Sequence, residues 1–401
     1  MKKTVVILAA LLIVAIIAMV GCPSPGPAPE KTLKIGSLLA TTEWWAAAYD
    51  LSILNMTQIG IDMINADGGV TVNGTKYTLE LVNEDTKSDF DGVASAANKL
   101  VYQDGVKFIV GPTGYFVSPA SPVTNPAKVM MVIGWDVCMP GEVDATTPYN
   151  FATSHGSYTK DIAVIKSMRQ DYPQAKTVAL VSPDDGAIPY LMPKVKDLLA
   201  KNGFTVAGDT IPFPNEMEDF SPIVAKIFSL GSVDAVFVER CPPPALGSIA
   251  KGLRDGGYHG PIFSGSPIAT AEVATIAGAA ATEGVRTTIA TLNDPAMPPL
   301  MAEMASRVTT QYGEGYPLSY QCVTGVYLLK TLIEAAQSLD PTVVKAKFES
   351  MDTVDTIYGT GVIGGEQVFG IKHVVAHPLP VQKFENGKAV SAGWFDLGFI
   401  P

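Results

Sequence analysis

Residues 77–112 read YTLELVNEDTKSDFDGVASAANKLVYQDGVKFIVGP, and their rhythm decides the fold. YTLELVNED alternates apolar and polar side chains, the period-2 pattern of a strand. GVASAANKLVYQDG spaces its apolar residues at helical intervals and stops at Gly105. VKFIVGP is a short apolar run, as a strand buried on both faces requires. A helix joining two such strands is a crossover, so the strands lie parallel.

The pattern extends both ways. Upstream, LKIGSLLA reads as a strand and ILNMTQIGIDMINADGG as a helix ending at a glycine pair. Downstream, residues 121–127 predict a short helix and VMMVIG another strand. The rhythm then restarts. KDIAVIKSMRQDY, PYLMPKVKDLLAKNG, DFSPIVAKIFSLG and GSIAKGLRDGG read as helices, interleaved with the strands TVALVSPDD, FTVAGDTIPF, VDAVFVER and GPIFSGSP. After about Thr287 come one long helix, SYQCVTGVYLLKTLIEAAQSL, a second, TVVKAKFES, and β-like segments over 359–394. The class is α/β, with two doubly wound parallel-sheet units side by side. Such sheets hold ligands at the carboxyl ends of their strands. Here those ends run into GPTGYF, GWDV, SPDDGA, ERCPPP and SGSP, five loops that border one cleft if the units face each other.

At 401 residues the chain exceeds the size at which a single core usually stops growing, which favours two domains. Hydrophobic residues make up 47%, too many for a disordered chain. The net charge is −11 with no Lys/Arg cluster, which argues against a nucleic-acid partner.

Lys2 and Lys3 precede an unbroken apolar run over residues 5–20, followed by Gly21 and Cys22. This is the layout of a secretory signal peptide over 1–21. The run is shorter than the ~20 residues that span a bilayer. Met-Val-Gly-Cys resembles a bacterial lipobox, which implies cleavage before Cys22 and lipid on its thiol. Residues 22–30 hold four prolines and read as a stiff tether. Cys138, Cys241 and Cys322 remain, with no zinc-site spacing. They are either one disulfide, Cys138 with Cys322, plus a thiol, or three buried thiols.

There is no Gly-x-Ser-x-Gly elbow, His-Glu-x-x-His or P-loop, so an enzyme is not expected, nor a metal or cofactor. His155 falls near the first crossover and His259 in a glycine-rich turn. His373 and His377 lie in a Pro-interrupted β-like segment and share no helix face. All four read as packing or surface residues.

An ordered set of segments resembles the solute-binding proteins of the leucine/isoleucine/valine-binding type, which serve ABC importers. LKIGSLLA, INADGGVTVNG, NEDTKSD with ANKLVYQDGVKFIVGP, EDFSPIVAKI and IAGAAATEGV carry it, over nearly the whole chain after the leader. The resemblance implies a type I periplasmic binding protein, two lobes joined by a three-segment hinge. Crossings are expected near Asn150, Val285 and Val362. That makes 31–150 plus 286–361 one lobe and 151–285 plus 362–401 the other. The implied partners are a small-molecule ligand and a membrane ABC permease, with the protein a monomer outside the cytoplasm. A signalling partner is the alternative reader of the same fold.

The resemblance also implies where ligand contacts fall. Tyr49 stands at the family's aromatic position after the first strand, in a loop about four residues longer than usual that carries Trp44 and Trp45. The serine-rich loop that grips an amino-acid carboxylate is here Gly114, Tyr115, Phe116 and Val117. The next loop has Trp135, Asp136 and Val137 where a small residue and a threonine are usual. In the second lobe Ala187 replaces an aromatic, and Ser266 replaces the acid that holds the α-amino group. A zwitterion stripped of these partners would be buried uncompensated. Flat aromatic walls suit a planar or apolar solute instead. The expected ligand is an aromatic or apolar carboxylate, with a branched-chain or other amino acid as the alternative. Arg240 could take the carboxylate bidentately, unless it is tied to Glu239 or Asp185. Asp136 and Asp185 could instead hold an amine.

Overall fold

The computed structural model describes residues 31–397 apart from 114–115, 135–136, 138, 154–157, 185, 215, 293, 314–315, 317 and 319, and of Ala48, Gln321 and Val368 the backbone only. The signal peptide, Cys22, the tether and His155 lie outside the described residues.

Two sheets form. The nine-stranded one runs Thr353–Thr356, Gly359–Gly364, Val374–Ala376, Asn150–Ala152, Met130–Ile133, Phe108–Val110, Lys31–Leu38, Thr75–Glu84, Val70–Val72. Its centre is parallel. Alternate side chains of these strands feed opposite faces. Val110 and Val132 pack under the helices Leu51–Ala66 and Gln321–Ala336. Ile109 and Met131 pack under Phe90–Tyr102 and Val117–Thr124. Gly60 lets the first two helices meet, because a Cβ there would stand 2.2 Å from Val323 Cγ2.

The second sheet runs Lys388–Phe395, Leu379–Glu385, Arg286–Thr287, Ile262–Phe263, Ala235–Val238, Thr177–Pro183, Thr205–Val206, with Ile211–Phe213 also beside Thr177–Pro183. The helices Asp161–Asp171 and Ile188–Lys201 cover one face. Ser221–Ser229, Pro243–Asp255 and Thr270–Ala277 cover the other. This is the two-lobe α/β plan read from the sequence.

Several expectations need correction. FTVAGDTIPF is two short strands, because Gly208 turns the chain at φ 67. The helices Thr270–Ala277 and Pro299–Tyr312 were not expected. The third crossing is not near Val362. Gly359–Gly364 pairs on both sides within the first sheet, and the chain leaves that sheet only after Ala376. The first crossing follows Ala152 and the second follows Thr287. The proposed Cys138–Cys322 bridge is not formed. Cys322 is a free thiol buried in the first lobe's core, pushed well above its ordinary pKa by burial. Cys138 is outside the described residues.

The two C-terminal histidines sit where the crossings meet. His373 Nδ1 lies 2.9 Å from the Asn150 carbonyl oxygen and Nε2 3.0 Å from Glu349 Oε1, with the ring stacked on Phe151. His377 stacks on Tyr358 at 4.1 Å. A neutral ring carries one N–H, and its shorter contact is Nε2 donating to the Thr153 carbonyl oxygen at 3.0 Å. That bond ties the third crossing to the first.

Burial pushes His377 down to about 4, against the pull of the Pro378 and Thr153 carbonyls. An unfolded ring titrates near 6.5. Its contribution to stability is therefore whole above about pH 6.5 and is lost as the pH falls toward 4. His377→Gln keeps a donor for Thr153 and removes the titration. Urea unfolding between about pH 7 and about pH 4.5 is expected to fall less steeply with acid in the variant than in the parent. Identical slopes would contradict this role.

Candidate functional site

The first lobe's wall grows from the end of strand Lys31–Leu38. The chain turns through residues 40–42 and enters a helix at Glu43–Trp45, which widens into a π-helical turn over Ala46–Asp50 before the helix Leu51–Ala66. The extra residues expected as loop are thus helical. Single π-turns are frequent at functional sites. Here the turn brings Trp45, Tyr49 and Asp50 onto one short segment. Ser88 secures the entry: its hydroxyl accepts from the Trp45 backbone N–H and donates to the Thr42 carbonyl oxygen.

A buried relay orients Trp45. Its indole N–H donates to Thr113 Oγ1 at 2.9 Å, and that hydroxyl donates to Asp50 Oδ1 at 2.7 Å. Asp50 Oδ2 accepts from the Ala40 backbone N–H at 2.7 Å. Tyr49 lies 4.6 Å from Trp45, Trp44 stands edge-on at 5.0 Å, and Phe116 backs it at 5.7 Å. Trp45 is buried and Trp44 is 58% exposed at the rim, so the two neighbours divide wall and mouth between them.

The second lobe's wall starts where strand Ala235–Val238 ends. Arg240 has φ 43, a left-handed conformation rare for so large a side chain. Its Nε donates to Glu239 Oε2 at 3.2 Å, both side chains being buried, and Glu239 also accepts from Ser182 Oγ. Cys241 contacts Ser264 and the Val238 carbonyl, and burial pushes its thiol up to about 12. Pro242 caps the helix Pro243–Asp255. Helix starts normally present free N–H groups. Here Pro243 and Pro244 have none, and Ala245 and Leu246 donate to the Pro242 carbonyl oxygen.

Between the walls lies a cavity of about 580 Å³. Trp44, Trp45, Ala47 and Tyr49 line one side. Residues 216–218, Phe220, 240–245, Ser266 and Glu272 line the other. A second pocket, of about 60 Å³, is bounded by Thr153, Thr288 and His377, one residue from each crossing, with Lys160 and Gly265. Among the described residues no group of three or more His, Cys, Asp or Glu side chains could hold a metal ion, and no helix is long and apolar enough to cross a membrane.

Residues 32–389 match the family described as periplasmic binding protein. The chain belongs to that family. Its fold is the type I fold of the leucine/isoleucine/valine-binding proteins. A Leu/Ile/Val-binding protein homolog 2 of Brucella abortus (strain 2308) is 28% identical over 326 residues, 78% of this chain and 81% of that one. A leucine-binding protein from Thermotoga maritima superposes with a TM-score of 0.73 at 20% identity, over 91% of this chain and 99% of that one. An ABC-transporter solute-binding protein from R. palustris, in complex with 4-hydroxybenzoate, gives a TM-score of 0.71 at 20% identity, over 91% and 96%.

In this periplasmic binding protein, Trp45, Tyr49, Arg240 and Ser266 are brought together at the cavity. Three expected contacts are not. Phe116 is buried behind Trp45, Val137 is in the first lobe's core, and Ala187 is in the second lobe's core. Gly114, Tyr115, Trp135, Asp136 and Asp185 lie outside the described residues. Sequence reasoning missed residues 216–220, the proline run and Glu272. Glu218 and Phe220 stood in EDFSPIVAKI and the prolines in ERCPPP, but as family markers and loop ends; Glu216 and Met217 lie just before the first of these segments.

Burial pushes Asp50 up to about 7, against the bonds from Ala40 and Thr113. The folded state thus holds this proton more tightly than the unfolded chain, where an aspartate titrates near 3.8. The sign is opposite to that of His377: stability falls as pH rises from about 4 to about 7. Asp50→Asn is expected to gain on the parent over that interval in thermal melts, and to alter Trp45 emission. A constant difference in melting temperature across the interval would show that Asp50 does not titrate there.

Proposed function

We propose that this protein is the lipid-anchored receptor of an ABC importer, and that it captures a small organic solute with an aromatic or apolar body between its lobes. The observation that carries this reading is the wall of Trp44, Trp45 and Tyr49, which faces the second lobe across a cavity of about 580 Å³. Ligand pockets typically span ~300–1,000 Å³ and are lined by apolar and aromatic side chains. Relatives carry Leu/Ile/Val-binding names and a structural neighbour holds 4-hydroxybenzoate, so the fold alone does not choose between aliphatic and aromatic solutes. The aromatic wall favours the latter. A carboxylate head at Arg240 has less support, because that guanidinium is engaged by Glu239 and the adjoining helix start has its N–H groups absent or committed.

Capture works by closure. Solute rests on one wall, and rotation about the three crossings brings the other onto it. Solute favours the closed form because only there does it touch both walls. The closed monomer then docks on its permease, held near the membrane by lipid on Cys22 and the proline-rich tether.

A thermal-shift screen of the domain from residue 30 onward tests the ligand class. Solutes with a phenyl body should raise the melting temperature more than leucine, isoleucine or valine. Saturation at 100 times Kd stabilises by about 2.7 kcal/mol. Trp45→Ala should weaken the best phenyl solute by about tenfold or more, a loss of ~1.4 kcal/mol. A screen in which only the aliphatic amino acids shift the melt would overturn the reading. Separately, Cys22→Ser should move the protein out of the membrane fraction; retention there would rule out the lipid anchor.

A further inference from the structure

We infer that the head group taken by this cleft is a cation, an organic ammonium on an aromatic or apolar body, with Glu272 as its counter-charge. The inference rests on the solute-receptor reading above and specifies the ligand of that same cavity.

Three observations converge on it. The first is the charge of the lining. Arg240 is matched by Glu239 at 3.2 Å, so that buried pair adds no net charge to the cavity. What remains on the described lining is Glu216, Glu218 and Glu272. On the described lining an anion meets net negative charge.

The second is the helix start at Pro243. A helix N-terminus in a cleft is ordinarily the place where an anion sits. This one offers two prolines and two N–H groups already donated to Pro242. It lends no hydrogen bond to a carboxylate.

The third is the opposite wall. Trp45 lies 5.0 Å from Trp44, edge-on, and 4.6 Å from Tyr49, tilted, and all three line the same cavity. Aromatic faces attract ammonium groups, and most strongly where water is excluded. Glu272, in the first turn of the helix Thr270–Ala277 and exposed at the cavity's edge, supplies a negative charge on the second lobe's wall. Ser266, also on the lining, carries no charge and cannot do this. Glu272 lies six residues further on, on a different element.

The test uses three probes with one body: phenethylamine, 3-phenylpropionate and phenylalanine, titrated calorimetrically against the parent, Glu272→Gln and Glu272→Lys. Phenethylamine should bind the parent tightest. Glu272→Gln should weaken it by about tenfold or more, and Glu272→Lys should shift preference toward the propionate. Tighter binding of the propionate by the parent, or an unchanged phenethylamine affinity in Glu272→Gln, overturns the cationic head while the aromatic cleft stands. If no phenyl probe binds but leucine does, the cleft reading falls and this inference with it.

Discussion

A buried carboxylate, Asp50, holds the first lobe's ligand wall together. It fixes the chain after the first strand through the Ala40 N–H and the chain after Phe108–Val110 through the Thr113 hydroxyl. Thr113 in turn fixes the indole of Trp45. The π-turn makes this possible, because it places Tyr49 and Asp50 within one widened turn of Trp45, one residue facing the cavity and the other the interior. A buried carboxylate without such bonds would be costly. With them it is the point from which the aromatic wall is aimed.

The second lobe is built differently. Its wall is fixed by backbone: the left-handed Arg240, the proline run and a helix start whose donors are closed. Its buried charges, Glu239 and Arg240, are paired through Arg240 Nε and Glu239 Oε2. The wall facing the solute is therefore apolar at its centre and acidic at its edge. The three crossings join the two walls, and the bond from His377 to Thr153 links two of the three.

The lobes were legible because periodicity reports burial. Alternation over residues 75–84 and the apolar run ending at Val110 gave one sheet, and Gly105 and Gly203 marked helix ends. Pairing was not legible. Gly359–Gly364 reads as β-like, but nothing local says which sheet it joins, so the third crossing was placed about fifteen residues early. Pro299–Tyr312 had a helical stripe of Met301, Met304, Ala305 and Val308, hidden behind a proline-rich approach. At the site, loop residues were assigned to the cleft by position in the chain, whereas the direction of each side chain depends on turn geometry. Phe116 and Val137 accordingly turned inward. Glu272 escaped because its helix did.

Small-angle X-ray scattering with and without saturating phenyl solute tests capture between the lobes most directly. The saturated protein is expected to have a smaller radius of gyration, with the decrease lost in Trp45→Ala at the same solute concentration. A saturated parent protein whose radius of gyration matches that of the free one would contradict it.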